Sequence, residues 1–270
     1  MVVFPNCKIN LGLNIVRKRT DGYHDLETVF YPIKLRDALE AIRADQTTFN
    51  QSGIIVEGNA EDNLCMKAYR LLKKDFPQLP EVSIHLHKAI PMGAGLGGGS
   101  ADGAFMLKLL NEKFGLNLTQ QQLIDLALQL GSDCPFFIIN KPSFATGRGE
   151  QMTPVDLDLS AYDIVIINPG IHISTREAFS QLIPTQPEKS IKEIIQQPVS
   201  TWKDELVNDF EKPVFKLYPI ISEIKESLYK KGAVYAAMTG SGSTVFAIFV
   251  KGQTIDLDFP PAYLQTKLPL

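Results

Sequence analysis

Residues 91 to 102 read P-M-G-A-G-L-G-G-G-S-A-D, with glycine at 93, 95, 97, 98 and 99 and serine at 100. Without a Cβ at those glycines, backbone N–H groups can close on an anion, and a helix after the loop adds unpaired donors and a partial positive charge of about half a unit. The chemistry this suits is the cradling of phosphate; the plain alternative is a glycine turn before a helix. Gly93-x-Gly95-x-x-Gly98 meets the dinucleotide fingerprint, but that fingerprint needs an acidic residue about twenty positions further on. Residues 113 to 123, K-F-G-L-N-L-T-Q-Q-Q-L, do not supply one. The Walker pattern fails as well, because Gly99 stands where its phosphate lysine belongs.

Other residues of chemical interest lie away from this loop. The alternation K-I-N-L-G-L-N-I from Lys8 puts Ile9, Leu11, Leu13 and Ile15 on one strand face and Lys8, Asn10 and Asn14 on the other. Lys8 and Asn10 therefore point the same way, either as a working pair or as a solvated polar face. Asp133 sits between a glycine break and Pro135, a place for a helix cap or for a functional carboxylate. Tyr23 and His24 fall at the exit of the turn R-K-R-T-D-G. His85 and His87 share a strand face, but no third metal ligand is near in sequence and a polar outer face explains them. Gly240-Ser241-Gly242-Ser243, flanked by apolar runs, fits a hairpin or a second glycine site.

These residues must be positioned by surrounding elements. Val82 to His87 alternates as a half-buried strand closed by Lys88, and Phe105, Leu107, Leu109 and Leu110 suit a helix over 104–114. Asp62-Asn63 precede a helical run with Leu64, Ala68, Leu71 and Leu72 on one face, ending near Phe76-Pro77. Thr119 with Gln122 predicts a capping box for a helix to about Leu130, and Ser174 with Glu177 a second one for a helix carrying Arg176 and Phe179. Ile164 to Ile167 reads as a buried strand closed by Asn168-Pro169-Gly170. Residues 184–198 read as a polar surface connection, and 216–231 as one helix stopped by Gly232. F-A-T-G-R-G-E and M-T-P, over 144–154, look like an excursion ending a first domain, which divides the chain into 1–154 and 155–270.

Composition narrows the classes of partner. The 270 residues are 44% hydrophobic, with a mean hydropathy of −0.01, enough for a sizeable core. Lys and Arg number 27 against 30 Asp and Glu, and a net charge of −3 gives no basic footprint for nucleic acid or an anionic membrane. Phosphate must be handled locally. Cys7, Cys65 and Cys134 are odd in number and lack a C-x-x-C pair, so a disulfide framework or thiolate zinc site is not indicated. With no leader pattern and no long apolar span, a cytoplasmic protein of a reducing compartment is expected.

Three segments, P-N-C-K-I-N-L-G-L-N, the central glycine loop and M-T-G-S-G-S-T-V-F, resemble the three motifs of the GHMP kinases in order and spacing. K-R-T-D-G-Y-H-D-L-E-T-V-F (18–30) and G-S-D-C-P-F-F (131–137) resemble the branch of that family acting on 4-diphosphocytidyl-2-C-methyl-D-erythritol in non-mevalonate isoprenoid synthesis. The likeness is strong over about 4–180, weaker through 181–230, and returns at 236–249.

The resemblance implies an α+β, two-domain GHMP kinase fold, with an N-terminal mixed α/β domain, a ferredoxin-like C-terminal domain and the active site between them. It implies transfer of the ATP γ-phosphoryl group to the 2-hydroxyl of that small-molecule substrate, by a monomer or homodimer. Lys8 and Asp133 match the catalytic pair. Pro91, Met92, Gly93, Ala94, Gly95, Leu96, Gly97, Gly98, Gly99, Ser100 and Ala101 match the ATP loop, and Asn63 and Lys88 further ATP contacts. Asn10, Tyr23, His24, Thr175 and Phe179, with Gly240 and Ser241, match the substrate side. Mg2+ should bridge the phosphates, with Ser100 its best protein ligand.

The alternatives are another GHMP kinase such as homoserine kinase, disfavoured by Tyr23-His24 and by 131–137, and a non-catalytic nucleotide-binding member, which would lack Lys8 and Asp133. The chain departs from the family at Cys7, where alanine is usual. It departs again after Phe249, where a short tail lacks the helical periodicity of many relatives.

Overall fold

In the computed structural model, which describes residues 1–55 and 58–270, alternating apolar residues build strands where the sequence predicts them. The chain opens with β1 (Val2–Val3) and two long strands, β2 (Asn6–Lys18) and β3 (His24–Arg36). There follow β4 (Ala38–Arg43), β5 (Thr48–Gly53), α1 (Leu64–Asp75), β6 (Val82–Lys88), α2 (Gly98–Phe114), α3 (Gln120–Leu130) and α4 (Cys134–Ile139). A hairpin, β7 (Ser143–Thr146) and β8 (Gln151–Pro154), leads to β9 (Tyr162–Asn168) and α5 (Thr175–Ser180). Next come α6 (Ile191–Ile194), α7 (Trp202–Glu205), α8 (Glu211–Leu217) and α9 (Pro219–Lys230). The chain closes with β10 (Tyr235–Met238), β11 (Val245–Val250) and β12 (Leu264–Pro269).

Two compact units form, and they interleave along the chain. One holds Met1–Cys7, Leu35–Met92 and Gly97–Lys141, with the sheet β1-β4-β6-β5 and helices α1 to α4. In that sheet β5 runs parallel to β6, while β4 pairs antiparallel with both β1 and β6. The other holds Lys8–Lys34, Gly93–Leu96 and Pro142–Leu270, with most of the sheet β2-β3-β7-β8 and all of β10-β11-β9-β12. Leu13, Ile15, Val165, Ile167, Ile221, Ile224, Leu228 and Val245 share an apolar cluster in it. Each such buried side chain stabilises by roughly 1.5 to 3 kcal/mol. Among the described residues no helix is long and apolar enough to cross a membrane.

The structure differs from the sequence reading at several elements, each for a local reason. Helix α2 starts at Gly98, six residues before the apolar run, because Gly97 turns left-handed at φ 70° and supplies the break. The single helix expected over 216–231 is two: Tyr218, at φ −132° and ψ 74°, is kept out of helical conformation by Pro219, which opens α9. The connection over 184–198 contains α6, which buries Ile191 and Ile194 and is capped by the Ser190 hydroxyl. The Thr119–Gln122 capping box forms, but Ser174 makes no side-chain cap to α5, so the second capping box does not. Helix α1 buries a stripe of Cys65, Ala68, Tyr69 and Leu72, turned from the predicted face. The excursion over 144–154 is the β7–β8 hairpin, joined to β3 through Thr28, Val29 and Phe30. The tail after Phe249 becomes β12, antiparallel to β9 from Leu264 opposite Asn168 to Pro269 opposite Asp163.

Candidate active site

Strand β6 buries Val82, Ile84 and Leu86 and turns His85 and His87 outward, where both rings meet the Ser52 hydroxyl at 2.9 and 3.0 Å. The histidines are the polar outer face. Among the described residues no group of three His, Cys, Asp or Glu could hold a metal ion. The strand ends on Lys88, buried between Asp37 and Asp102, whose Oδ2 lies 2.7 Å from Nζ. Asp37 Oδ1 also accepts the N–H groups of Ala89 at 2.6 Å and Ile90 at 2.9 Å, so one carboxylate pins the backbone just before the glycines. Burial pulls the Lys88 pKa down, but the two carboxylates more than reverse this and leave it above its ordinary value. Burial likewise pushes Asp102 up to about 7, against the pull of Lys88. Asp102 Oδ1 has no hydrogen-bond partner among the described residues.

Beside this cluster lies a cleft of about 400 Å³ lined by Asn59, Asp62, Asn63, Leu64, Lys88, Met92 and Gly99. Asn63 Oδ1 caps α1 by accepting the Cys65 N–H at 2.9 Å, so what Asn63 offers the cleft is its NH2 group. Lys88 lines the cleft with its ammonium already committed to two carboxylates.

The glycine loop is divided between the units: Pro91 and Met92, with Gly97 to Ala101, belong to the first, and Gly93 to Leu96 to the second. Helix α2 begins without a side-chain cap, so its first N–H groups, at Gly98, Gly99 and Ser100, form the anion-receptive end the sequence predicts. Near it, Asp133 precedes α4, and its side chain makes no cap to that helix. Its neighbour Cys134 hydrogen-bonds the Ser100 hydroxyl, and burial pushes that thiol up to about 12.

In the second unit, the middle of the glycine loop is gripped by backbone. Lys8 N–H donates to Leu96 O at 3.0 Å, and Thr239 Oγ donates to Gly95 O at 3.1 Å. Gly95, at φ 78°, lies so close that an added Cβ would stand 2.0 Å from Thr239 O, and a Cβ on Gly240 would stand 3.0 Å from Gly95 Cα. The two glycine segments thus meet backbone against backbone, and the second one is also the β10–β11 hairpin. Lys8 and Asn10 are not a solvated face: they are 4% and 2% exposed, with Nζ 2.6 Å from Asn10 Oδ1 and 4.9 Å from the Phe30 ring centre.

The residues expected on the substrate side form separate contacts. His24 stacks on Phe179 at 4.7 Å and 20°, and Phe179 meets Phe210 edge-on at 4.8 Å. Burial, then Lys18, lowers the His24 pKa below its ordinary value. Tyr23 is 55% exposed and carries the Arg148 guanidinium over its ring at 4.9 Å. Thr175 and Ser241 share a hydrogen bond of 3.2 Å between hydroxyls. Sequence reasoning missed Asp37, Thr28, Thr239, Arg148 and Asn208. Thr239 stands inside a quoted motif and Arg148 inside F-A-T-G-R-G-E. Asn208, whose Nδ2 donates to Met238 O and Gly240 O at 2.7 and 2.9 Å, left no local signal.

The N-terminal domain model of the GHMP kinases matches residues 63–141, and the GHMP kinases C-terminal model matches 190–256. A Bacteroides fragilis protein named 4-diphosphocytidyl-2-C-methyl-D-erythritol kinase is 57% identical over 274 residues, covering 99% of this chain and 100% of its own. One of the same name from Parabacteroides distasonis is 55% identical, covering 93% and 92%. The crystal structure of 4-(cytidine 5'-diphospho)-2C-methyl-D-erythritol kinase aligns with a TM-score of 0.80 at 31% identity, over 92% of this chain and 90% of that one. Homoserine kinase from Cytophaga hutchinsonii aligns at 0.63 with 15% identity, a likeness of fold alone, covering 92% and 86%.

Proposed function

Because the chain belongs to the GHMP kinase family, we propose that it transfers the γ-phosphoryl group of ATP to the 2-hydroxyl of 4-diphosphocytidyl-2-C-methyl-D-erythritol, in non-mevalonate isoprenoid synthesis. The observation that carries the acceptor is the 57% identity running along both chains to a relative of that name. The phosphate-handling parts are common to the family and do not choose an acceptor by themselves.

Phosphoryl transfer passes through a loose transition state, so a kinase works by holding donor and acceptor in line and by stabilising charge on the moving oxygens. The N–H groups that open α2 bind phosphate without basic side chains, and the cleft beside Asn63 and Lys88 takes the adenosine end. Lys8 stabilises charge on the transferred group. Asp133 accepts or orients the proton of the acceptor hydroxyl. Magnesium fits as an ion carried in by the phosphates and largely water-coordinated, given no protein cluster for it among the described residues; Ser100 is its candidate side-chain ligand, and it would neutralise phosphate charge. Tyr23, His24 and Phe179 read the cytosine by stacking and edge contacts, with Thr175, Gly240 and Ser241 beside the polyol. We place the enzyme in the cytoplasm as a monomer or homodimer.

The test is ATP turnover by the purified chain with and without the cytidine acceptor. Turnover that depends on this acceptor and ignores homoserine is expected; acceptor-independent turnover, or preference for homoserine, overturns the reading.

A further inference from the structure

The proposed reaction needs the Lys8 ammonium in one place, and Asn10 is one of the groups that hold it. Asn10 lies two residues along β2 from Lys8. Its Oδ1 accepts from Lys8 Nζ at 2.6 Å and from Thr239 Oγ at 3.2 Å, while its Nδ2 donates to Thr28 Oγ at 3.0 Å. The two ends of an asparagine amide have the same shape and opposite hydrogen-bonding sense, so something must choose which end faces the lysine.

Thr28 makes that choice. A hydroxyl has one proton, and that of Thr28 goes to Gly12 O at 2.5 Å, so only lone pairs are left for Asn10. The NH2 end must meet them, and Oδ1 is thereby turned to Lys8. Thr239 acts from the other side: its Oγ accepts the Asn10 backbone N–H at 3.0 Å, and its own proton lies between Asn10 Oδ1 at 3.2 Å and Gly95 O at 3.1 Å. Thr28, Thr239 and Asn10 are 0%, 0% and 2% exposed, so water does not compete for these bonds. Asn10 Oδ1 thus faces two donors, Lys8 Nζ and the Thr239 hydroxyl that it shares with Gly95 O.

We propose that Thr28 and Thr239 are positioning residues that lock the Asn10 amide with its oxygen toward Lys8, so that Asn10 serves the reaction by aiming Lys8. This rests on the kinase reading, in which Lys8 acts on the transferred phosphoryl group. Misplacing a catalytic group by an ångström costs about a hundredfold in rate, which sets the scale of the effect.

Thr28→Val removes the hydroxyl at nearly constant volume and frees the amide to flip. In the full chain it is expected to lower kcat by ~10- to 100-fold with KM for ATP unchanged, and Thr28→Ser, which keeps the hydroxyl, to recover most of the turnover. In parallel, the Lys8 ammonium signal of 15N-lysine-labelled protein, identified by its loss in Lys8→Arg, should be protected from exchange in the parent chain and lose protection in Thr28→Val. Thr239→Val with Thr239→Ser repeats the test from the other side of the amide and stands in if Thr28→Val does not fold. Parent-like kcat in the valine variants, an unchanged ammonium signal, or serine variants as slow as the valine ones overturns the proposal. Failure of the kinase reading is told apart because it removes acceptor-dependent turnover from the parent chain itself, while the ammonium signal still decides whether the lock exists.

Discussion

Lys88 and Lys8 are nearly as buried as one another, at 1% and 4% exposure, yet the groups that hold them differ in kind. Lys88 lies between the carboxylates of Asp37 and Asp102, so its positive charge is more than answered. Within its own unit, Lys8 meets the carbonyl oxygen of Asn10 and the ring of Phe30. An amide oxygen and an aromatic face add orientation to an ammonium, and a carboxylate adds charge balance as well. Lys88 is thus held as a rivet beside the backbone that leads into the glycine loop, while for Lys8 we propose a working role on the transferred phosphoryl group.

Replacing each lysine should break the contrast from opposite sides. Lys8→Ala is expected to lower kcat by about two to four orders of magnitude, with Asp133→Asn in the same range and both proteins still binding ATP. Stopped-flow or coupled-assay rates check this, and near-parental turnover in Asp133→Asn would return that residue to a purely local role in its turn. Lys88→Met strands two buried carboxylates and should cost about 3 to 5 kcal/mol of stability, read by urea unfolding. Should Lys8→Ala lose as much stability as Lys88→Met, the two lysines are not different in kind.

The Lys88 cluster also carries a pH signature. Asp102 is raised from an unfolded value near 3.8 to about 7, so the folded state holds its proton more tightly than the unfolded state does. That contribution to stability is fully present below about pH 4 and is lost as pH rises towards 7. Relative to Asp102→Asn, the parent chain should therefore lose stability across that window as pH rises. A difference in unfolding free energy that stays flat between pH 4 and pH 7.5 counts against it.

The smallest effect expected is at the aromatic contacts. Stacking on a base is worth roughly 1 to 3 kcal/mol, so Tyr23→Ala should raise KM for the cytidine substrate at least several-fold and leave ATP affinity alone. Phe179→Ala should do the same and also loosen His24, which rests on it. Equal losses for both substrates in Tyr23→Ala would show that Tyr23 supports its turn and does not read the base.

The sequence revealed what the backbone demands and hid what distant side chains arrange. The glycine loop, the β6 alternation and the Thr119 capping box were legible because each is a local rule linking residue type to backbone geometry. The break at Tyr218-Pro219 was also legible in principle, through the proline, but the apolar periodicity on both sides masked it. Asp37 and Lys88 are 51 positions apart, and Asn10 and Thr239 are 229 apart; no spacing rule reaches that far. The stacking of His24 on Phe179 belongs to the same class: it depends on where α5 packs, not on what surrounds Phe179 in the chain.

The contact between Gly95 and the Thr239–Gly240 backbone bears on how this chain can vary by mutation. A side chain at 95 meets a carbonyl oxygen, and one at 240 meets the α-carbon of 95, so the obstacle on each side is main chain that every residue type shares. Trimming a neighbour cannot relieve it, and both positions have positive φ, 78° and 56°. Positions 95 and 240 should therefore lack second-site suppressors, and a saturation library selected for growth should retain only glycine at both, even with the rest of the chain free to change.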